Sequence, residues 1–240
     1  MTAGAPGIYG KLPTHGDFIQ RNLPSAFVVP WDAWLQHYVA ASKERIGEEW
    51  LDIYLTSPIW RFALSAGVVD EHGWAGIMMP SVDLVGRYFP FTVALRLAPN
   101  ETPTAFLAQQ AGWFAQVETA ALTALEGDVT LDDLTAELGE FEPVSVAAVE
   151  LRDTRDNGPM HLDVEQEGLA QTGYALMCDA LLKDRHRGYS VWSTAGSDRV
   201  APCMFSTPSL PAINKLPAML DGQWMEWGWE LPRAAGVMHA

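Results

Sequence analysis

Ile59-Trp60-Arg61-Phe62-Ala63-Leu64-Ser65-Ala66 alternates along its length. In an extended chain Trp60, Phe62, Leu64 and Ala66 fall on one face, and Ile59, Arg61, Ala63 and Ser65 on the other. Asp70-Glu71-His72-Gly73 supplies a connecting turn. Trp74 to Met79 is apolar at every position, as a strand covered on both faces should be. Phe91 to Leu97 alternates again, with Phe91, Val93, Leu95 and Leu97 set against Thr92, Ala94 and Arg96. Connections this short predict an antiparallel meander.

Outward from this sheet, Gly7 to Leu12 reads as a first strand and Pro13 to Pro24 as a loop. A helix is expected from Pro30, a residue suited to the first helical position, through Trp31, Trp34, Leu35, Tyr38 and Ile46 at helical spacing. Glu48 to Leu55 reads as a second, short helix. Thr102-Pro103 signals the start of one long helix ending near Gly127, with Phe106, Trp113, Phe114, Val117, Ala121 and Ala124 as its buried stripe. Leu131 to Leu138, Leu169 to Lys183 and Leu210 to Leu220 read as helices. Pro143 to Leu151, Tyr189 to Thr194 and Val200 to Phe205 read as strands. The tail carries Trp224, Trp227 and Trp229 at neither period. A run of strands between helices, without regular βαβ alternation, predicts an α+β fold: an antiparallel sheet with packed helices. No linker divides it, so residues 1–240 are expected to be one domain, with a core at about 7–205 and a Trp-rich tail at 221–240.

The charge narrows the function. Of 240 residues, 30 are Asp or Glu and 15 are Lys or Arg, a net of −15. Phosphate recognition needs clustered cations, so nucleic acid and anionic lipid are both poor partners. No basic start precedes an apolar run, and no apolar stretch is long enough to span a bilayer. Cys178 and Cys203 make no disulfide framework, which fits a reducing cytoplasm. The acid is concentrated: Glu126 to Glu167 holds 13 acidic residues against Arg152 and Arg155. This is either a solvated face or, through Asp132, Asp133, Glu137 and Glu140, a docking face for a basic partner.

No nucleotide cradle, zinc-protease helix or nucleophile elbow is present, and the six His form no compact ligand pair. No cofactor and no metal are expected. Three segments do combine rigid turn residues with charge: Gly10-Lys11-Leu12-Pro13-Thr14-His15-Gly16-Asp17-Phe18, Ser57-Pro58-Ile59-Trp60-Arg61-Phe62, and Met79-Pro80-Ser81-Val82-Asp83-Leu84-Val85-Gly86-Arg87-Tyr88-Phe89-Pro90. Lys11, Arg61 and Arg87 can pair with Asp17 and Asp83, and at least one direct carboxylate–guanidinium contact is expected. Such pairs would hold loops on the sheet; cations turned together to solvent would instead make an anion site. A small hydrolase could be assembled from Ser81, Asp83, His15 and Asp17, provided they lie within hydrogen-bond reach.

These segments, together with Ser190-Val191-Trp192-Ser193-Thr194-Ala195-Gly196-Ser197, resemble the TagF/ImpM family of bacterial type VI secretion-associated proteins. The resemblance covers residues 7 to 100 and reaches Ser197 more weakly. It implies a cytoplasmic post-translational repressor of secretion-system assembly that acts by binding a forkhead-associated (FHA) scaffold protein. It also implies a compact α+β fold of the longin or profilin-like kind. It carries over no catalytic residue, so a non-enzyme is expected. The matching positions, candidates for a partner surface, are Lys11, Gly16, Asp17, Trp60, Arg61, Pro80, Ser81, Asp83, Gly86, Arg87, Tyr88 and Trp192. Oligomeric state is left open.

Overall fold

The computed structural model describes residues 4–144 and 169–230. The strands are β1 (Gly7–Gly10), β2 (Ile19–Arg21), β3 (Trp60–Leu64), β4 (Trp74–Met79), β5 (Phe91–Arg96), β6 (Tyr189–Thr194) and β7 (Cys203–Pro208). They form one sheet in the order β2-β1-β5-β4-β3-β6-β7, and each pairing is antiparallel. The expected meander is β3-β4-β5, in a register that sets Phe62 opposite Gly76 and Gly76 opposite Ala94.

The helices are α1 (Ser25–Ile46), α2 (Trp50–Leu55), α3 (Pro103–Gln109), α4 (Ala111–Glu126), α5 (Leu131–Gly139), α6 (Leu169–Arg185) and α7 (Ala218–Asp221). They cover both faces of the sheet, and the alternation of β3 decides which residues meet which helix. Trp60, Phe62 and Leu64 join Trp31, Trp34, Leu35 and Tyr38 of α1 in one core, with Trp50 and Tyr54 of α2 and Met219 of α7. Ala63 turns the other way, with Ile77, Phe91, Val93 and Leu95, onto Phe106 of α3, Trp113, Phe114 and Val117 of α4, and Leu134 and Leu138 of α5. Helix α6 packs on α3. The first core is dominated by indoles: Trp31 and Trp192 stack at 6.2 Å, and the Trp31 N–H donates to Thr92 at 3.0 Å. No helix among the described residues is long and apolar enough to cross a membrane.

Five elements differ from expectation. Helix α1 begins at Ser25, so Pro30 lies inside it rather than at its start. Proline cannot bond the Ala26 carbonyl, but Ala26 is exposed, so water can take that role. The helix expected over 103–126 is two, divided at Gln110, whose backbone leaves helical geometry at φ −96°, ψ 32°. The buried Gln110 amide exchanges two hydrogen bonds with the backbone of Val144, at 2.7 and 2.9 Å. Part of the expected loop before Pro24 is strand β2, ended by Asn22 at φ 56°. Strand β7 lies three residues beyond its expected start, because Val200 is buried in the first core as part of the connection from β6. The closing helix expected at Leu210 to Leu220 is only a turn at Ile213–Lys215 followed by α7. The strand expected at Pro143 to Leu151 lies, from residue 145 on, outside the described residues.

Candidate functional site

The first and third charged segments leave the sheet at the same end. Strands β1 and β5 are antiparallel neighbours, so the end of β1 lies beside the start of β5, and β5 pairs in turn with β4. The loop after β1 and the β4–β5 connection therefore start side by side. Gly10 makes this approach possible. Its φ is 129°, and a Cβ there would sit 2.1 Å from the Pro90 carbonyl oxygen.

Asp83 joins the two loops. Its carboxylate accepts from Lys11 Nζ at 2.8 Å and from Arg87 Nε at 2.7 Å, both on Oδ2. Oδ1 accepts the backbone N–H groups of Val85 at 3.1 Å and Arg87 at 2.8 Å. Asp83 is thus both an ion-pair partner and the cap of its own tight turn, which Gly86 permits with φ 87°. The side chain is wholly buried. Burial alone raises the carboxyl pKa, but the hydrogen bonds from Lys11 and Arg87 outweigh it and hold the group well below the usual carboxylate range. Arg87 continues across the gap to the Gly16 carbonyl. Leu84 N–H donates to the His15 carbonyl at 3.0 Å. The expected carboxylate–guanidinium pair is therefore present as Asp83–Arg87.

The remaining motif residues brace this joint. Ser81 Oγ donates to the Lys11 carbonyl at 2.7 Å, and its backbone meets the Tyr54 hydroxyl at 3.1 Å. Val82 and Tyr88 form a β-bridge, and the Tyr88 ring packs edge-on against Trp50 and Tyr54. Pro80 leads from β4 into the loop. His15 Nδ1 lies 2.9 Å from Thr14 Oγ1. Asp17 is fully exposed, 4.0 Å from Arg87. So the Ser81 hydroxyl is bound to a backbone carbonyl, and Asp83 to two cations and its own turn. Among the described residues no group of His, Cys, Asp and Glu is arranged to hold a metal ion.

Three residues expected with this cluster lie elsewhere. Arg61 faces α4, where it grips Glu118 with two parallel bonds, Nε to Oε1 at 2.6 Å and Nη2 to Oε2 at 2.8 Å, over the Phe114 ring. The strand period places it on the opposite face from Trp60, away from Asp83. Trp60 and Trp192, expected at a partner surface, are instead fully buried. Trp60 N–H donates to the Met219 carbonyl at 3.0 Å and Trp192 N–H to Ser190 Oγ at 2.8 Å. Their bulk fills the α1 core, which leaves them nothing to offer a partner.

The acidic residues of α5 do reach solvent. Leu134 and Leu138 take the buried side, so Asp132, Asp133, Glu137 and Glu140 lie exposed. Asp133 also has a local role: its N–H and carboxylate both meet the Thr130 hydroxyl, at 3.2 and 2.7 Å, capping the helix. The connection from α4 into this helix adjoins the first loop, since a Cβ on Gly127, the residue that ends α4, would come within 3.4 Å of the Thr14 methyl.

Sequence reading missed what the clamp displays. Phe18 is 50 % exposed, Leu84 67 % and Val85 68 %, all on the two joined loops. An apolar pair bracketed by Asp83 and Gly86-Arg87 was the available signal. Trp224 and Trp229 of the tail also find a place, edge-on against Phe205 of β7.

One known protein family matches the sequence. The model of the TagF N-terminal domain, type VI secretion system-associated, matches residues 7–141. That span contains both clamped loops, the Arg61–Glu118 pair and α5. The likeness to a solved structure extends further. PA0076 from Pseudomonas aeruginosa PAO1 is 34 % identical, superposes with a TM-score of 0.78, and covers 97 % of this chain and 100 % of its own. No curated protein matches. A match over more than half of the chain, including the motifs that build the clamp, places this protein in the TagF family of type VI secretion system-associated proteins.

Proposed function

We propose that the protein is a cytoplasmic, non-enzymatic repressor of type VI secretion that works by binding a component of the assembling system, with the FHA-domain scaffold protein as the partner. Membership of a type VI secretion-associated family supports the pathway. The observation that carries the binding role is the use made of Ser81, Asp83 and Lys11. Two of the four groups from which a hydrolase could be assembled, Ser81 and Asp83, are buried with Lys11 and spent on joining two loops. Nucleophilic or acid–base catalysis needs a group free to meet substrate. A joint of this kind fixes the shape of a surface instead, and a fixed surface loses less freedom on binding.

The purified full-length chain and the purified scaffold of the same secretion system test this reading. Calorimetric titration should show saturable binding with fixed stoichiometry. Failure of the two to associate at micromolar concentrations removes the scaffold as partner. Secretion unchanged by deletion of the gene removes the repressor role.

A further inference from the structure

We propose that Phe18, Leu84 and Val85 form the apolar centre of a docking surface whose rim is acidic, and that its occupant is a protein offering an apolar hollow flanked by Lys or Arg. The inference rests on the binding role above and adds where that binding occurs and what chemistry answers it.

Single exposed apolar side chains are ordinary on any surface. The arrangement here differs in being held outward. Leu84 and Val85 are adjacent, and the turn that carries them is fixed from inside by Asp83, which binds the N–H groups of Val85 and Arg87. From outside, Leu84 N–H is tied to His15 of the other loop. Phe18 belongs to the same unit. Its ring lies 5.0 Å from Lys11 Nζ, the ammonium that is 2.8 Å from Asp83, and packs edge-on against Phe89 at 4.8 Å. One buried ion pair thus supports both parts of the apolar display. Side chains already held in place lose little freedom when a partner covers them, the economy expected of an interface anchor.

Charge selects the occupant. Asp17 stands beside Phe18 and is fully exposed, 4.0 Å from Arg87, the half-exposed cation of the second loop, which is itself engaged by Asp83 and the Gly16 carbonyl. Across the contact between Gly127 and Thr14 lie Glu126, Asp128, Asp132 and Asp133, all exposed. Anionic lipid would be repelled by this rim. A second copy would set the same carboxylates against each other on chains that each carry −15. A basic-flanked apolar hollow is attracted by the rim and filled by the centre.

The test has two arms. In cells with active type VI secretion, a photo-crosslinking amino acid replaces Val85 in the full chain, with Tyr174, which is 74 % exposed on α6, as the control position. With purified scaffold, the double variant Leu84→Ser/Val85→Ser is compared with wild type; both positions are exposed, so the fold should persist, as far-ultraviolet circular dichroism would verify. An adduct at position 85 and not at 174, mapping to an apolar segment beside Lys or Arg, is the expected result. With it should come a drop in scaffold affinity of about tenfold or more for the double variant. An adduct of that chemistry on a different protein supports the docking surface and removes the scaffold. Wild-type and double-variant affinities that are equal, with no adduct at 85, overturn the docking surface and leave the scaffold in place. No adduct and no scaffold binding overturn both. A self-adduct overturns the proposed occupant.

Discussion

Lys11 Nζ lies 2.8 Å from Asp83 Oδ2, closing a contact across 72 positions of chain between two loops of the TagF motifs. Both groups are buried, and Arg87 shares the same carboxylate oxygen. A buried carboxylate that loses its charge leaves its cations unmatched, so the contact should be felt in stability, loop geometry and binding together.

The pH dependence follows from the direction of the Asp83 shift. Its folded pKa lies below the unfolded value of about 3.9. The folded state therefore favours the charged form, and the stability this confers is present above pH ~4 and lost as pH falls from there towards the folded pKa. Urea unfolding at a series of pH values should show wild type losing stability below pH ~4 more steeply than Asp83→Asn, which has no carboxylate to protonate. Parallel curves for the two proteins would contradict this assignment.

The Arg61–Glu118 pair ties β3 to α4 by parallel bonds at 2.6 and 2.8 Å, half-buried against Phe114. A double-mutant cycle with Arg61→Ala and Glu118→Ala should give a coupling of about 1–2 kcal/mol, more than an exposed pair and less than a fully buried one. Because the pair lies on the α4 face and not among the two loops, it should alter stability without altering affinity for the partner.

Trp60 is fully buried, and its N–H reaches the Met219 carbonyl. Trp60→Ala should destabilise by about 3–5 kcal/mol, from lost apolar contact and the cavity left behind. Trp113→Ala, in the opposite core and only 3 % exposed, should cost a similar amount. Thermal unfolding of each variant checks both cores, and a near-neutral result for either would contradict its place there.

The exposed carboxylates of α5 should act on the rate of association. Substituting Asp132→Asn, Glu137→Gln and Glu140→Gln should slow partner association and flatten its salt dependence, because exposed charges steer at long range and are screened beyond about 8 Å at physiological ionic strength. Asp133 is better left intact, since it caps the helix with Thr130. Stopped-flow association at several salt concentrations distinguishes a docking face from a merely solvated one.

The sheet was legible where side-chain period and burial coincide. The alternation of Trp60, Phe62 and Leu64 with Arg61 and Ala63 predicted two faces, and each found its own core. Elements governed by distant contacts were not legible. Gln110 divides a helix while its amide is paired with Val144, 34 positions away. Strand β2 is only Ile19–Arg21, too short for alternation to register. In the site, opposite charges within rigid motifs predicted an ion pair, and Asp83–Arg87 is that pair. The same reasoning could not sort Arg61 away from the cluster, because its partner Glu118 lies on a helix whose side of the sheet emerges only on folding. Nor could it tell Trp60 and Trp192 as core residues from surface ones, since an indole in a motif reads the same either way until burial is known.

The central claim is repression by stoichiometric binding. Its most direct measurement is type VI secretion in the host while the cellular amount of this protein is stepped from none to excess, with scaffold amount and transcript levels recorded alongside. The account predicts that secretion rises when the protein is absent and falls as its ratio to the scaffold approaches and passes one, at constant transcript. Secretion unaffected by both deletion and excess would contradict it, as would full repression by an amount far below that of the scaffold, which would indicate turnover rather than binding.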